Sequence, residues 1–166
     1  MKIFTKYLVA LTLIFALSLT HTFALSKHDD KKVIHEKTFK IEAGKKLNVT
    51  ADVGDVIVTV WDKSEVYIKV TGNEDTSDKF DFSFNGSSDE VTVTAEKKSG
   101  WNWFSNISLK IEVKVPKNFN INANTSGGDI KVGGVNGGIY LKTSGGDIWG
   151  DRFEGNFFAH TSGGDI

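Results

Sequence analysis

The sequence predicts an all-β fold: a β-helix or β-roll-like solenoid of 18-residue coils, each made of two nine-residue strand–turn units, preceded by irregular β-strands of the same domain. Three observations carry this. Thr-Ser-Gly-Gly-Asp-Ile occurs at Thr125–Ile130, Thr143–Ile148 and Thr161–Ile166, with a period of 18 and no insertion. Glycine recurs every nine residues, at Gly128, Gly137, Gly146, Gly155 and Gly164, and two positions after each comes Ile130, Ile139, Ile148, Phe157 or Ile166. A fixed short period is the mark of stacked units that bury their apolar faces only against neighbours. Finally, apolar and polar residues alternate from Lys37 onward with no useful run at the 3.6-residue helical period.

The N-terminal residues 1–24 read as a secretory signal. Lys2 and Lys6 precede a largely apolar run, Tyr7 to Leu19, and Thr22-Phe23-Ala24 offers small residues where a signal peptidase cuts. The run is shorter than the ~20 residues a spanning helix needs, so no stable membrane span is expected after cleavage. Residues 25–36, rich in Lys, Asp and His, read as a polar spacer. The domain is expected over 37–166.

Within it, eight strands are expected ahead of the repeats. Their apolar markers are Phe39 and Ile41, Leu47 and Val49, Val56 to Val60, Val66 to Val70, Phe80 to Phe84, Val91 and Val93, Ile107 to Val115, and Phe119 to Ala123. Pro116 sits at a strand end, where a missing N–H is tolerated. Asp52-Val53-Gly54-Asp55-Val56 resembles the later Gly-Gly-Asp-Ile turns, so the first part reads as a degenerate version of the same solenoid. In the repeats, Ile130, Val132, Ile148 and Ile166 should point inward on one sheet. Ile139, Leu141, Phe157 and Ala159 should do so on the other. Ile166 closes a hexapeptide yet opens a coil, and the expectation is that the complete protein continues with more coils.

The glycine column requires either positive φ or close approach of the next coil. If φ is positive at Gly146, Val there costs ~1–3 kcal/mol. The aspartate column, Asp129, Asp147 and Asp165, stacks at about 4.8 Å. Carboxylates at that spacing repel by roughly 0.9 kcal/mol in water and about 3.5 kcal/mol at an effective dielectric of 20. They must face solvent, accept turn N–H groups or hold cations. The first reading is that each Asp caps its own turn. The alternative is calcium at Asp129, Asp147 and Asp165, although the second Gly-x-Asp step of calcium-binding nonapeptides is missing.

These features resemble the putative adhesin family of bacterial exported proteins. The pieces that carry the resemblance are Val53-Gly54-Asp55-Val56 with Val58, the Val115-Pro116-Lys117 junction and the Thr-Ser-Gly-Gly-Asp-Ile coils. It covers about Lys37 to Ile166. It implies a β-helix-like fold, export (to periplasm, cell surface or medium) and a role at the cell surface, and it supplies no catalytic residues.

The residues themselves argue against several activities. A formal charge of −1 gives no nucleic-acid footprint. His21, His28, His35 and His160 lack metal-ligand spacing, and no Gly-x-Ser-x-Gly elbow or cysteine nucleophile occurs. An enzyme is not expected and neither is a cofactor. The alternatives to an adhesin-like binding module are a carbohydrate-active β-helix enzyme and an envelope sensory or accessory domain. The candidate ligand-binding residues are Trp101, Trp103 and Phe104, three large aromatics between two strands, with a glycan or envelope protein as partner. A loop folded onto its own sheet is the alternative for them. Tyr140 and Phe158 should form an outward aromatic column on one sheet, with Trp149 following Lys131 on the other.

Overall fold

The computed structural model describes residues 31–99 and 107–166. The expected signal segment 1–24 and the candidate ligand-binding aromatics Trp101, Trp103 and Phe104 lie outside the described residues. Twelve strands and one short helix are described, in the order β1 Lys32–Lys40, β2 Lys46–Ala51, β3 Asp55–Trp61, β4 Glu65–Gly72, α1 Glu74–Lys79, β5 Phe80–Gly86, β6 Glu90–Lys97, β7 Leu109–Pro116, β8 Asn120–Thr125, β9 Ile130–Gly133, β10 Ile139–Lys142, β11 Ile148–Asp151 and β12 Phe157–His160.

Period-two alternation gives each strand one apolar face, and two such faces bury each other. One sheet has the order β1-β4-β7-β3-β9-β11 and the other β12-β10-β8-β2-β6-β5. We call them sheets A and B. The core between them is aliphatic: Leu47, Val49, Val56, Val58, Ile68, Val93, Ile111, Ile121, Ile130, Leu141 and Ile148 are all at most 2% exposed. The result is a β-solenoid-like arrangement whose two sheets do not close on each other.

From β8 onward the chain changes sheet at every strand, and all pairings are parallel. Ile121 lies opposite Ile139, and Ile139 opposite Phe157, in sheet B. Ile130 lies opposite Ile148 in sheet A. The strand pair β2–β3, although early in the chain, sits inside this stack. β2 is parallel to both β6 and β8, and β3 to both β7 and β9. Val56 is therefore the direct neighbour of Ile130, and the Asp52–Val56 turn lies directly against the first Gly-Gly-Asp-Ile turn.

At the far side the pattern turns antiparallel. β1 pairs with β4, β4 with β7, and β5 with β6. Phe80 is fully buried there, while Phe39, Phe82 and Phe84 pack against the core from the edge.

Three expectations need correction. Strand β1 starts at Lys32, so residues 32–36 are not spacer. It is an edge strand with a bulge between Val33 and His35. An edge needs few buried residues and tolerates lysine, so its charge looked like a solvated linker. Helix α1 was not expected. Its six residues are too few to show a helical period. It is stabilised by Glu74 and Asp75 in its first turn and by an ion pair from Lys79 Nζ to Asp75 Oδ2 at 2.8 Å. Ile166 does not point into a core. It lies outside the described strands and is 69% exposed. Phe157 and Ala159, on β12 at the edge of sheet B, are only partly buried. Of the two requirements stated for the glycine column, Gly146 meets close approach and not positive φ. A Cβ there would lie 2.0 Å from the Gly128 carbonyl oxygen, so glycine is required by close approach.

Candidate functional site

The repeated turns are tied together by side chains. Thr125 Oγ1 donates to Gly54 O at 3.1 Å, Thr143 Oγ1 to Gly128 O at 2.9 Å, and Thr161 Oγ1 to Gly146 O at 2.8 Å. The Thr143 and Thr161 hydroxyls also accept the N–H of Gly146 and Gly164 within their own turns. One hydroxyl thus serves as donor to one turn and acceptor for the next, which allows Thr143 to be fully buried.

The aspartates form a second ladder. The backbone N–H of Asp129 donates to Asp55 Oδ1 at 3.1 Å, that of Asp147 to Asp129 Oδ1 at 3.0 Å, and that of Asp165 to Asp147 Oδ1 at 2.8 Å. The carboxylates of Asp55, Asp129 and Asp147 each bond the neighbouring turn rather than capping their own. Charge-assisted bonds of this kind offset the repulsion along the column. No group of three or more His, Asp or Glu side chains arranged to hold a metal ion occurs among the described residues.

The outward faces of the two sheets differ in chemistry. Across sheet A one row reads Glu36, Lys69, Glu112, Ile57, Lys131, Trp149. Charges alternate, and Lys131 Nζ sits 4.2 Å from the centre of the Trp149 ring. Trp61 packs at 5.9 Å from Tyr67, with Lys63 and Lys114 over its ring. The Tyr67 hydroxyl donates to the Glu36 carboxylate, and this bond holds the phenol above its ordinary pKa.

Across sheet B two rows run side by side. The first reads Asn85, Thr92, Asn48, Asn122, Tyr140, Phe158. The second reads Ser83, Thr94, Thr50, Asn124, Lys142, His160. The first carries no ionisable acid or base except the weakly acidic phenol of Tyr140. Asn124 Nδ2 donates to Asn122 Oδ1 at 3.1 Å, Asn122 Nδ2 to Asn48 Oδ1 at 3.4 Å, and Asn48 Nδ2 to Glu90 Oε2 at 3.0 Å. Tyr140 and Phe158 stack with ring centres 4.7 Å apart and planes 7° from parallel. Beside Tyr140 lies an open groove of about 680 Å³, lined by Lys46, Asn120, Asn122, Asn124 and Lys142 among others.

The expected Tyr140–Phe158 column and the Lys131–Trp149 succession are both found. The amide row was missed by sequence reasoning. Its signal, Ile121-Asn122-Ala123-Asn124, shows only that these asparagines point outward. Asn48 joins them through strand pairing across 74 residues.

Two packed sheets joined by stacked, hydrogen-bonded turns define the chain as a solenoid-like β domain. It belongs to the Toastrack family, DUF4097, whose profile matches residues 17–166. This agrees with the adhesin-like resemblance read from the repeats. The fold is similar to that of a putative cell adhesion protein from Clostridium sporogenes, at 16% identity and a TM-score of 0.53. The similarity covers 75% of this chain and 64% of that one, so the chain spans under two thirds of its neighbour's length. Fainter likenesses are to a putative adhesin from Bacteroides fragilis, at 9% identity and a TM-score of 0.32, covering 83% of this chain and 99% of that one. A putative lipid binding protein from Parabacteroides distasonis follows, at 16% identity and a TM-score of 0.30, covering 70% of this chain and 66% of that one. Curated proteins gave no match.

Proposed function

We propose that the protein is an exported, non-catalytic binding module of the bacterial envelope, adhesin-like in kind, built from 18-residue coils. On this reading residues 1–24 are a cleaved signal, the domain occupies the rest, and the partner is a glycan or envelope protein. The domain works by presenting a rigid, repeated outer surface rather than by turning over a substrate.

The observation that carries the reading is the stacked register. Side chains 18 residues apart fall opposite one another on both sheets, so outward residues form columns with fixed spacing. The turn carboxylates and hydroxyls, which an enzyme reading would recruit, are engaged in joining one turn to the next. Family membership and the shared fold support the assignment to an adhesin-like class. Among the described residues no helix is long and apolar enough to cross a membrane.

The test is fractionation. Expressed with its first 24 residues in a bacterial host, the protein should leave the cytoplasm with Leu25 as its new N-terminus, and purified protein should co-sediment with isolated cell envelopes. Cytoplasmic retention with the leader intact, or no co-sedimentation, contradicts the reading.

A further inference from the structure

We infer that the groove on the outward face of sheet B is a binding site for a neutral oligosaccharide, with Tyr140 as its stacking wall and Asn122 and Asn124 as its hydrogen-bonding floor, extended along the row by Asn48. The inference rests on the binding-module reading above and gives that module a site and a ligand class.

The first argument is the missing charge. A quarter of this protein's residues are charged, and sheet A wears them outward in alternating signs. The two central rows of sheet B replace them with amides, hydroxyls and aromatic rings; the groove is lined by two separate cations, Lys142 in the second row and Lys46 at its margin, and the nearby acid Glu90 accepts from Asn48. A surface kept soluble by neutral polar groups suits a ligand that is itself neutral and polar. An anionic polymer or nucleic acid would need clustered cations.

The second argument is geometric. Tyr140 stands in its row between Asn122 on one side and Phe158 on the other. Phe158 covers one face of the Tyr140 ring. The opposite face therefore borders the groove over the asparagines. Tyr140 is 43% exposed and Phe158 51%, so the pair stands clear of the sheet. A pyranose ring offers an apolar C–H face for such a wall and hydroxyls around its rim for the floor. Phe158 behind Tyr140 holds the wall upright.

The third argument is hydrogen-bonding capacity. A primary amide has two N–H donors and two acceptor lone pairs. The chain from Asn124 through Asn122 to Asn48 uses part of that capacity and fixes the amides in place. What remains is paired donors and acceptors, the pattern that vicinal hydroxyls require, held in advance of binding. Asn48 to Phe158 spans three strand steps, about 14 Å at ~4.8 Å per step. That length fits several linked sugar rings running across the strands.

The test uses the full chain after leader cleavage, titrated calorimetrically with cellohexaose, chitohexaose and mannohexaose, with oligogalacturonate as the acidic control. At least one neutral hexasaccharide should bind, and the acidic one should not. Tyr140→Ala and Asn122→Ala should each weaken binding roughly tenfold or more, the scale of a truncated hot spot. Both positions face outward, so melting temperatures should stay near that of the parent. Trp149→Ala, on sheet A, should leave binding unchanged. Absence of binding to all three neutral sugars, or binding that survives both sheet B variants, overturns the inference. Envelope co-sedimentation that persists in Tyr140→Ala also overturns this groove while leaving the broader proposal intact. Sugar binding without envelope binding does the reverse.

Discussion

The two ends of the molecule solve the same packing problem in different ways. At the β11–β12 end, short parallel strands repeat the same residues, and neighbouring turns come close enough to exclude a single methyl group at Gly146. Order there comes from backbone approach and from threonine and aspartate bonds between turns. At the β1–β5 end the strands are long and antiparallel, and bulk closes the gap. Phe80 is buried, Phe82 and Phe84 stack at 6.5 Å, and His35 lies edge-on to both at 4.9 and 5.3 Å. The comparison teaches that one end depends on the absence of side chains and the other on their size. Substitutions should therefore act in opposite senses at the two ends.

Truncation should hurt most at the aromatic end. Phe80→Ala should destabilise by about 4 kcal/mol, read from urea unfolding, since a buried ring leaves a cavity the long strands cannot close. Loss of only ~1 kcal/mol would show that this end is loosely packed. At the repeat end, Thr143→Val keeps the volume but strands the Gly128 carbonyl and the Gly146 N–H. About 1–2 kcal/mol should be lost by the same measurement. A neutral result would mean that the threonine ladder does not hold the turns.

The next effect is one of pH. Burial first, and then the nearby Lys37 charge, push the His35 pKa below its ordinary value of 6.5. The unfolded chain then takes up a proton more readily than the folded one. Stability should be full above pH 6.5 and fall as the pH drops from there through the lowered folded value. Midpoints compared at pH 7 and pH 5 should show this loss, and His35→Gln should reduce it. An unchanged slope would remove His35 as its source.

The smallest effect is at Arg152, a residue with φ of 49° placed 18 residues after Gly134, whose φ is 79°. Arginine is strained in this left-handed region, whereas asparagine tolerates it. Arg152→Asn should stabilise by about 0.5 kcal/mol. A loss would show that Arg152 does more at that corner than turn the chain.

The expected strands were legible because alternation survives wherever one face is buried. Each of the eight predicted ahead of the repeats has its counterpart in β1 to β8. What local pattern could not carry was order. β2–β3 enters the stack between β6–β7 and β8–β9; the likeness of Asp52–Val56 to the later turns marks it as part of the solenoid but not as the direct neighbour of Ile130. The same long reach hid the amide row and made the aspartates look like caps of their own turns. The first half of β1, residues 32–36, and helix α1 were lost for the opposite reason, being too exposed or too short to leave a period. The candidate aromatics Trp101, Trp103 and Phe104 remain a sequence-based proposal, outside the described residues.

The central claim is that each turn sits directly against its counterpart 18 residues away, and adjacent glycines test it. A Cβ at Gly146 would meet Gly128 O at 2.0 Å, whereas one at Gly145 finds nothing closer than 3.7 Å. Urea unfolding of Gly146→Ala should show a loss of about 3 kcal/mol, and Gly145→Ala a gain of about 0.5 kcal/mol. Equal effects at the two positions would contradict the stacked register.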